Sequence, residues 1–126
     1  MSELFERGLA NRKATLGEEY VAKAIEGATG FTRDFQRVMT EYCWGACWGR
    51  EALTPRERSL IVLAILGTLG RSEEFALHFR GALRNGATEE DLQDLLFHVM
   101  VYAGVPAGVE GFRIGRRVLD EQAGAS

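Results

Sequence analysis

The sequence predicts an all-α protein, and three observations carry that prediction. Apolar residues recur at spacings of three and four, strand-like alternation is scarce, and only Pro55 and Pro106 interrupt the pattern. A length of 126 residues suits one domain spanning 1–126. Hydrophobic residues at 46% and charged residues at 26% are ordinary for a globular chain and exclude disorder. No repeat or low-complexity segment is present.

Six to seven helices follow in order. The first, about Leu4 to Leu16, carries Leu4, Phe5, Leu9 and Leu16 on one side before Gly17. A second runs from about Glu18 to Glu26 and stops at Gly27-Ala28-Thr29-Gly30. A third, about Thr32 to Trp44, places Phe35, Val38, Met39 and Tyr42 at helical spacing. The fourth has the clearest start: Thr54 as N-cap, Pro55 at the first position and Glu57 completing a capping box. Its run Leu60 to Leu66 is apolar on every side. Such a helix needs cover all round, which a short chain supplies most simply by associating with other subunits.

The fifth helix, about Ser72 to Arg84, ends at Asn85-Gly86, residues that tolerate a left-handed backbone. Thr88-Glu89-Glu90-Asp91 caps a sixth, from Glu89 to about Ala103, with Leu92, Leu95, Leu96 and Val99 as its buried stripe. Gly104-Val105-Pro106 breaks it. A seventh, about Ala107 to Glu121, carries Val109, Phe112 and Val118 before a small polar tail.

Charge narrows the function. Fifteen cations against eighteen carboxylates give a net charge of -3, so field-driven binding to nucleic acid or an anionic membrane is not expected. No lysine follows Lys23, which excludes a Schiff-base amine from the main body of the chain. The apolar run Leu60 to Leu69 is about half a bilayer span. No secretory signal opens the chain, and two cysteines build no disulfide scaffold, which fits a cytoplasmic setting.

Few residues can carry chemistry. His78 follows Glu74 by one turn, where a carboxylate favours the protonated imidazole, poising it as a general acid or leaving a plain surface ion pair. Asp94, His98 and Tyr102 recur every four residues and form either a hydrogen-bonded relay or a solvated helix flank. Arg58, Arg71 and Arg80 bracket the apolar helix and the His78 helix; arginine grips planar carboxylates through two parallel bonds, although most of the thirteen arginines suit solvated faces. Cys43 and Cys47 are spaced C-x-x-x-C, unlike redox C-x-x-C, and read better as packing. Trp44 and Trp48 share that offset and either wall a pocket or simply pack together. Neither a metal-ligand cluster nor a phosphate loop is legible.

The residues Trp44-Gly45, Trp48, Arg58-Ser59-Leu60, Ala64-Ile65-Leu66, Leu69-Gly70-Arg71, His78-Phe79-Arg80, Asn85-Gly86 and Tyr102 to Ala107 resemble the gamma-carboxymuconolactone decarboxylase family of protocatechuate catabolism. Arg7-Gly8-Leu9, Leu16-Gly17, Phe31 and Asp34-Phe35 extend the resemblance from about residue 5 to 119. The wider superfamily includes alkylhydroperoxidase-D-like proteins with a C-x-x-C-x-x-x-H motif. Counting back from His78 puts Glu74 and Arg71 where the cysteines would stand, so the histidine is kept and the redox dyad is not.

The resemblance implies a compact alkylhydroperoxidase-D-like fold, a homohexamer with a trimer as the alternative, and decarboxylation of gamma-carboxymuconolactone to the beta-ketoadipate enol-lactone. That substrate delocalises the electrons left by CO2 through its ring alkene into the lactone carbonyl, so no cofactor is required. His78 is then expected as proton donor or oxyanion partner, with Glu74 setting its charge. Arg58 or Arg80 clamps the acetate carboxylate, His98 and Tyr102 bond the lactone, and Trp44 and Trp48 lower the local dielectric. Two alternatives remain: a thiol-dependent peroxidase or disulfide reductase using Cys43 and Cys47, and a non-catalytic ligand-binding module.

Overall fold

The computed structural model describes residues 2–124, and among them every regular element is helical. The order is α1 (Glu3–Leu16), α2 (Glu18–Glu26), α3 (Arg33–Met39), a π-helical stretch (Thr40–Cys47), α4 (Pro55–Leu69), α5 (Ser72–Arg84), α6 (Glu89–Ala103) and α7 (Val105–Gly124). Two compact units divide the chain, Met1–Pro55 and Arg56–Ser126.

In the N-terminal unit, α1 lies against the π stretch almost backbone to backbone. A Cβ on Gly8 would fall 2.2 Å from the Thr40 carbonyl oxygen, and one on Gly45 would fall 2.7 Å from that of Leu4. Polar ties seal this contact: Asn11 Nδ2 donates to the Trp44 carbonyl at 2.9 Å, and Ser2 Oγ donates to Glu41 at 2.7 Å. The face of α1 turned inward is therefore Gly8, Arg12, Thr15 and Leu16. Of the expected stripe Leu4, Phe5, Leu9 and Leu16, only Leu16 is buried.

The third helix also departs from expectation. It turns α-helical only to Met39 and continues as a π-helix with wider turns, seen in the Trp48 N–H donating to the Cys43 carbonyl five residues back at 3.0 Å. Thr40 Oγ1 donates to the Gln36 carbonyl at 2.7 Å, a side-chain claim on the α-helical ladder at the point where it opens. Phe35 and Val38, on the α-helical part, are exposed, as is Tyr42, and the π stretch buries Thr40, Trp44 and Gly45 instead.

The C-terminal unit has a hydrocarbon core. Leu63, Phe75, Phe79, Leu92, Leu96, Ile114 and Val118 form one buried cluster drawn from α4, α5, α6 and α7. Each large side chain contributes about 1.5–3 kcal/mol by leaving water. Helix α7 approaches closely because its inner face carries Gly108, Gly111 and Gly115; a Cβ on Gly115 would meet the Phe79 ring at 2.9 Å.

Local signals set the ends here. Thr88 Oγ1 accepts from the Asp91 N–H at 3.0 Å and Asp91 returns the bond to the Thr88 N–H at 2.9 Å, a reciprocal cap for α6. The stop after α5 places Gly86, not Asn85, in the left-handed region, at φ 95. Pro106 does not delay α7, which begins at Val105: a proline in the first helical turn forfeits no intrahelical bond.

Helix α4 is only half covered in the single chain. Leu63 and Ser59 are buried, whereas Ile61, Ile65 and Leu69 form an exposed stripe. Among the described residues no helix is long and apolar enough to cross a membrane.

Candidate active site

The C-terminal unit contains His78, Glu74, Arg58, Arg80, His98 and Tyr102, and the N-terminal unit contains Trp44 and Trp48. His78 occupies the middle of α5, between the core positions Phe75 and Phe79 in sequence, and its side chain is partly buried. Burial pushes its pKa down to about 4, and the charge of Glu74 only partly opposes that. Glu74 acts in the expected direction, but desolvation wins. The imidazole is therefore neutral near pH 7, which corrects the expectation of a protonated acid.

The expected relay on α6 does not form. His98 Nδ1 lies 2.7 Å from the main-chain carbonyl of Asp94, so it carries the proton and donates there rather than to the carboxylate. Tyr102 is 87% exposed, and among the described residues no hydrogen bond joins it to His98. Phe97, His98, Val101 and Tyr102 instead line a shallow hollow of about 230 Å³.

The two arginines differ. Arg80 reaches Glu121 on α7 at 3.0 Å, so its guanidinium already holds a carboxylate. Arg58 is buried beside Ser59, whose Oγ accepts from Asn85 Nδ2 at 3.0 Å, linking the start of α4 to the end of α5. Arg56, which the sequence reading passed over, grips Asp91 through two bonds of 3.1 and 2.6 Å. Together with the cap, that pair lowers the Asp91 carboxyl to about 2.

Trp44 and Trp48 are both buried, with ring centroids 4.7 Å apart and planes tilted by 36°. Packing accounts for them. Cys43 and Cys47 are not joined in a disulfide. Burial raises the Cys43 pKa, reinforced by Cys47 and opposed by Arg12, which disfavours the nucleophilic thiolate.

Sequence reasoning missed Arg12. It is 3% exposed, and Nη1 donates to Gln36 Oε1 at 2.9 Å and Thr40 Oγ1 at 3.3 Å. The available signal was spacing: Arg12 lies four residues after Gly8 and four before Leu16, on the face that α1 buries.

Residues 33–117 match the model of the carboxymuconolactone decarboxylase family. The chain is 34% identical to a 4-carboxymuconolactone decarboxylase of Acinetobacter baylyi, over 93% of this chain and 87% of that protein. It is 37% identical to a nitrosuccinic acid decarboxylase of Metarhizium robertsii, over 94% of this chain and 82% of the relative.

Proposed function

The chain belongs to the carboxymuconolactone decarboxylase family, and from that premise we propose that it is a cofactor-independent carboxy-lyase converting gamma-carboxymuconolactone to the beta-ketoadipate enol-lactone. The observation that carries this reading is likeness along 93% of the chain to a relative named for that decarboxylation. The family match crosses the boundary between the two units, which supports treating them as one functional domain. We place the activity in cytoplasmic aromatic catabolism.

Chemistry gives the two relatives' named substrates a common logic. In each, the carbon that would lose CO2 bears an electron acceptor, a vinylogous lactone carbonyl or a nitro group, and a carboxymethyl arm. Either substrate provides its own electron sink. The protein's work is to grip the arm, stabilise the oxygen that becomes negative and return a proton to carbon.

His78 suits the second task in its neutral form. A neutral imidazole donates a hydrogen bond to the developing enolate oxygen without first forming an ion pair with a substrate carboxylate. As negative charge grows beside it, its proton affinity rises, so its second nitrogen takes up a proton from solvent; the imidazolium then gives one proton to the ring carbon and returns to the neutral form. Arg58 or Arg80 clamps the carboxymethyl arm, and at Arg80 the arm's carboxylate would take the place of Glu121. Glu74 tunes His78, and Tyr102 is a secondary donor to the lactone; His98, whose Nδ1–H is committed to the Asp94 carbonyl, joins it only when Nε2 carries a proton as well. The exposed stripe Ile61, Ile65 and Leu69 supports assembly into an oligomer, a hexamer in the family pattern.

Supplying gamma-carboxymuconolactone and following CO2 release with ultraviolet absorbance tests the reading, with nitrosuccinate assayed in parallel. Turnover of the lactone is expected, and His78→Ala should lower kcat by roughly 10²–10³-fold with a smaller change in KM. Turnover of nitrosuccinate alone would transfer the assignment to that substrate, and turnover of neither would overturn it. Full activity in His78→Ala removes His78 from the site. Light scattering that finds a monomer overturns the assembly.

A further inference from the structure

The N-terminal unit buries a cation whose acceptors are neutral. Arg12 is held only by the amide oxygen of Gln36 and the hydroxyl of Thr40, its Nε has no hydrogen-bond partner, and no carboxylate among the described residues pairs with it. Burial pulls the guanidinium below its ordinary pKa, with Tyr20 and Cys43 opposing. Neither of those groups is a carboxylate, the partner that grips a guanidinium through two parallel bonds. A buried charge left this way is costly unless something neutralises it.

The two acceptors also line a cavity of about 400 Å³ between α1, α2 and α3. Phe5 and Ile25 give it an apolar side, and Arg33 and Arg37 stand on its wall. Asp34, the carboxylate on that wall, faces Arg37 at 3.9 Å, and Arg37 also reaches Glu41 at 3.2 Å. Arginine has only donors, so the Gln36 atom touching Arg12 must be its oxygen, which leaves the Gln36 amide N–H groups as donors. The Thr40 proton is already committed to the Gln36 carbonyl.

We propose that Arg12, Gln36 and Thr40 form a carboxylate-binding site for a small organic acid with an apolar body. The entering carboxylate displaces Gln36 Oε1 from Arg12 and exchanges a neutral acceptor for a charge-assisted, two-pronged bond. The freed Gln36 amide then donates to the same anion. Arg33 and Arg37 attract it, and Phe5 and Ile25 cover its hydrocarbon part. This site lies within residues 1–55 and is independent of the role given to His78.

Succinate is the probe, with sodium chloride at matched ionic strength as control. For the full chain, succinate should raise the melting temperature in a saturable way and shift the Arg12 side-chain Nε–Hε resonance, and chloride should do neither. Gln36→Glu supplies Arg12 with an internal counterion: it should raise the melting temperature without succinate and weaken succinate binding by about tenfold or more. Arg12→Lys should weaken binding similarly, and if that variant does not fold, Gln36→Glu still decides. His78→Ala should leave the succinate response unchanged. The proposal is overturned by no saturable response in the wild type, by an undiminished response in Gln36→Glu, or by a response that disappears in His78→Ala. It also falls if Gln36→Glu alters the oligomeric state while succinate does not bind, because the counterion would then come from a second copy.

Discussion

The two units of this chain solve the same packing problem with different materials. The N-terminal unit lets two backbones meet at Gly8 and Gly45 and fills its interior with Arg12, Thr15, Thr40 and a tryptophan pair. The C-terminal unit interlocks Phe75, Phe79, Leu63, Leu92 and Ile114, with the partly buried His78 on the same helix as the two phenylalanines. Hydrocarbon packing is tolerant of small shifts, whereas backbone contact and buried polar groups are not. The C-terminal unit should therefore respond to lost volume, and the N-terminal unit to added volume.

The largest effect expected is in the hydrocarbon core. Phe75→Ala should cost about 3–5 kcal/mol in urea unfolding, since a fully buried ring leaves a cavity. A loss under 1 kcal/mol would mean that α5 and α7 collapse onto the vacated space. The next effect is a pH response confined to the C-terminal unit. His78 has a pKa of about 4 in the folded chain against 6.5 as its ordinary value. Between those values the unfolded chain takes up a proton that the folded chain refuses, so stability falls as pH drops from 6.5 toward 4, by roughly 3 kcal/mol in all. His78→Gln should flatten that slope. Amide exchange in α5 measures it locally, while fluorescence of Trp44 and Trp48, both in the N-terminal unit, should stay level.

Added volume reverses the contrast. Gly8→Ala should destabilise by about 1–3 kcal/mol despite the better helix propensity of alanine, because its methyl meets the Thr40 carbonyl. Gly111→Ala should cost less, since the methyl meets the mobile end of Leu96. Equal losses in thermal denaturation would erase the distinction. The smallest effect is electrostatic. Asp91 is held at about 2 against 3.8, so its pairing with Arg56 and Thr88 stabilises above pH 3.8 and is lost as pH falls toward 2. Asp91→Asn should remove that acid-side slope, and added salt should shrink it, because both partners are partly solvated.

Much of this architecture is readable from local chemistry. The bounds of α2, α5 and α6 follow from Gly17, Gly27, Gly86, Gly104 and the Thr88 cap, since a chain end is fixed by the sterics and hydrogen bonds of a few neighbours. The site is legible only in part. His78 stands out by its type and its spacing from Glu74, but its neutral state depends on how much water the fold removes from the ring, which spacing does not report. The relay read into Asp94, His98 and Tyr102 fails because helical spacing brings side chains near one another without choosing among acceptors, and the nearby main-chain carbonyl was taken.

Sequence alone determined that this protein is helical, where most of its helices stop, which family it joins and that its chemistry must rest on few groups. All of these rest on local periodicity, chain-end stereochemistry or motifs in order. Tertiary structure decided the π-helical turn, the burial of Arg12 against neutral acceptors and the uncharged state of His78. Those depend on how closely separate segments approach and how much water they expel, quantities set by residues far apart in the chain.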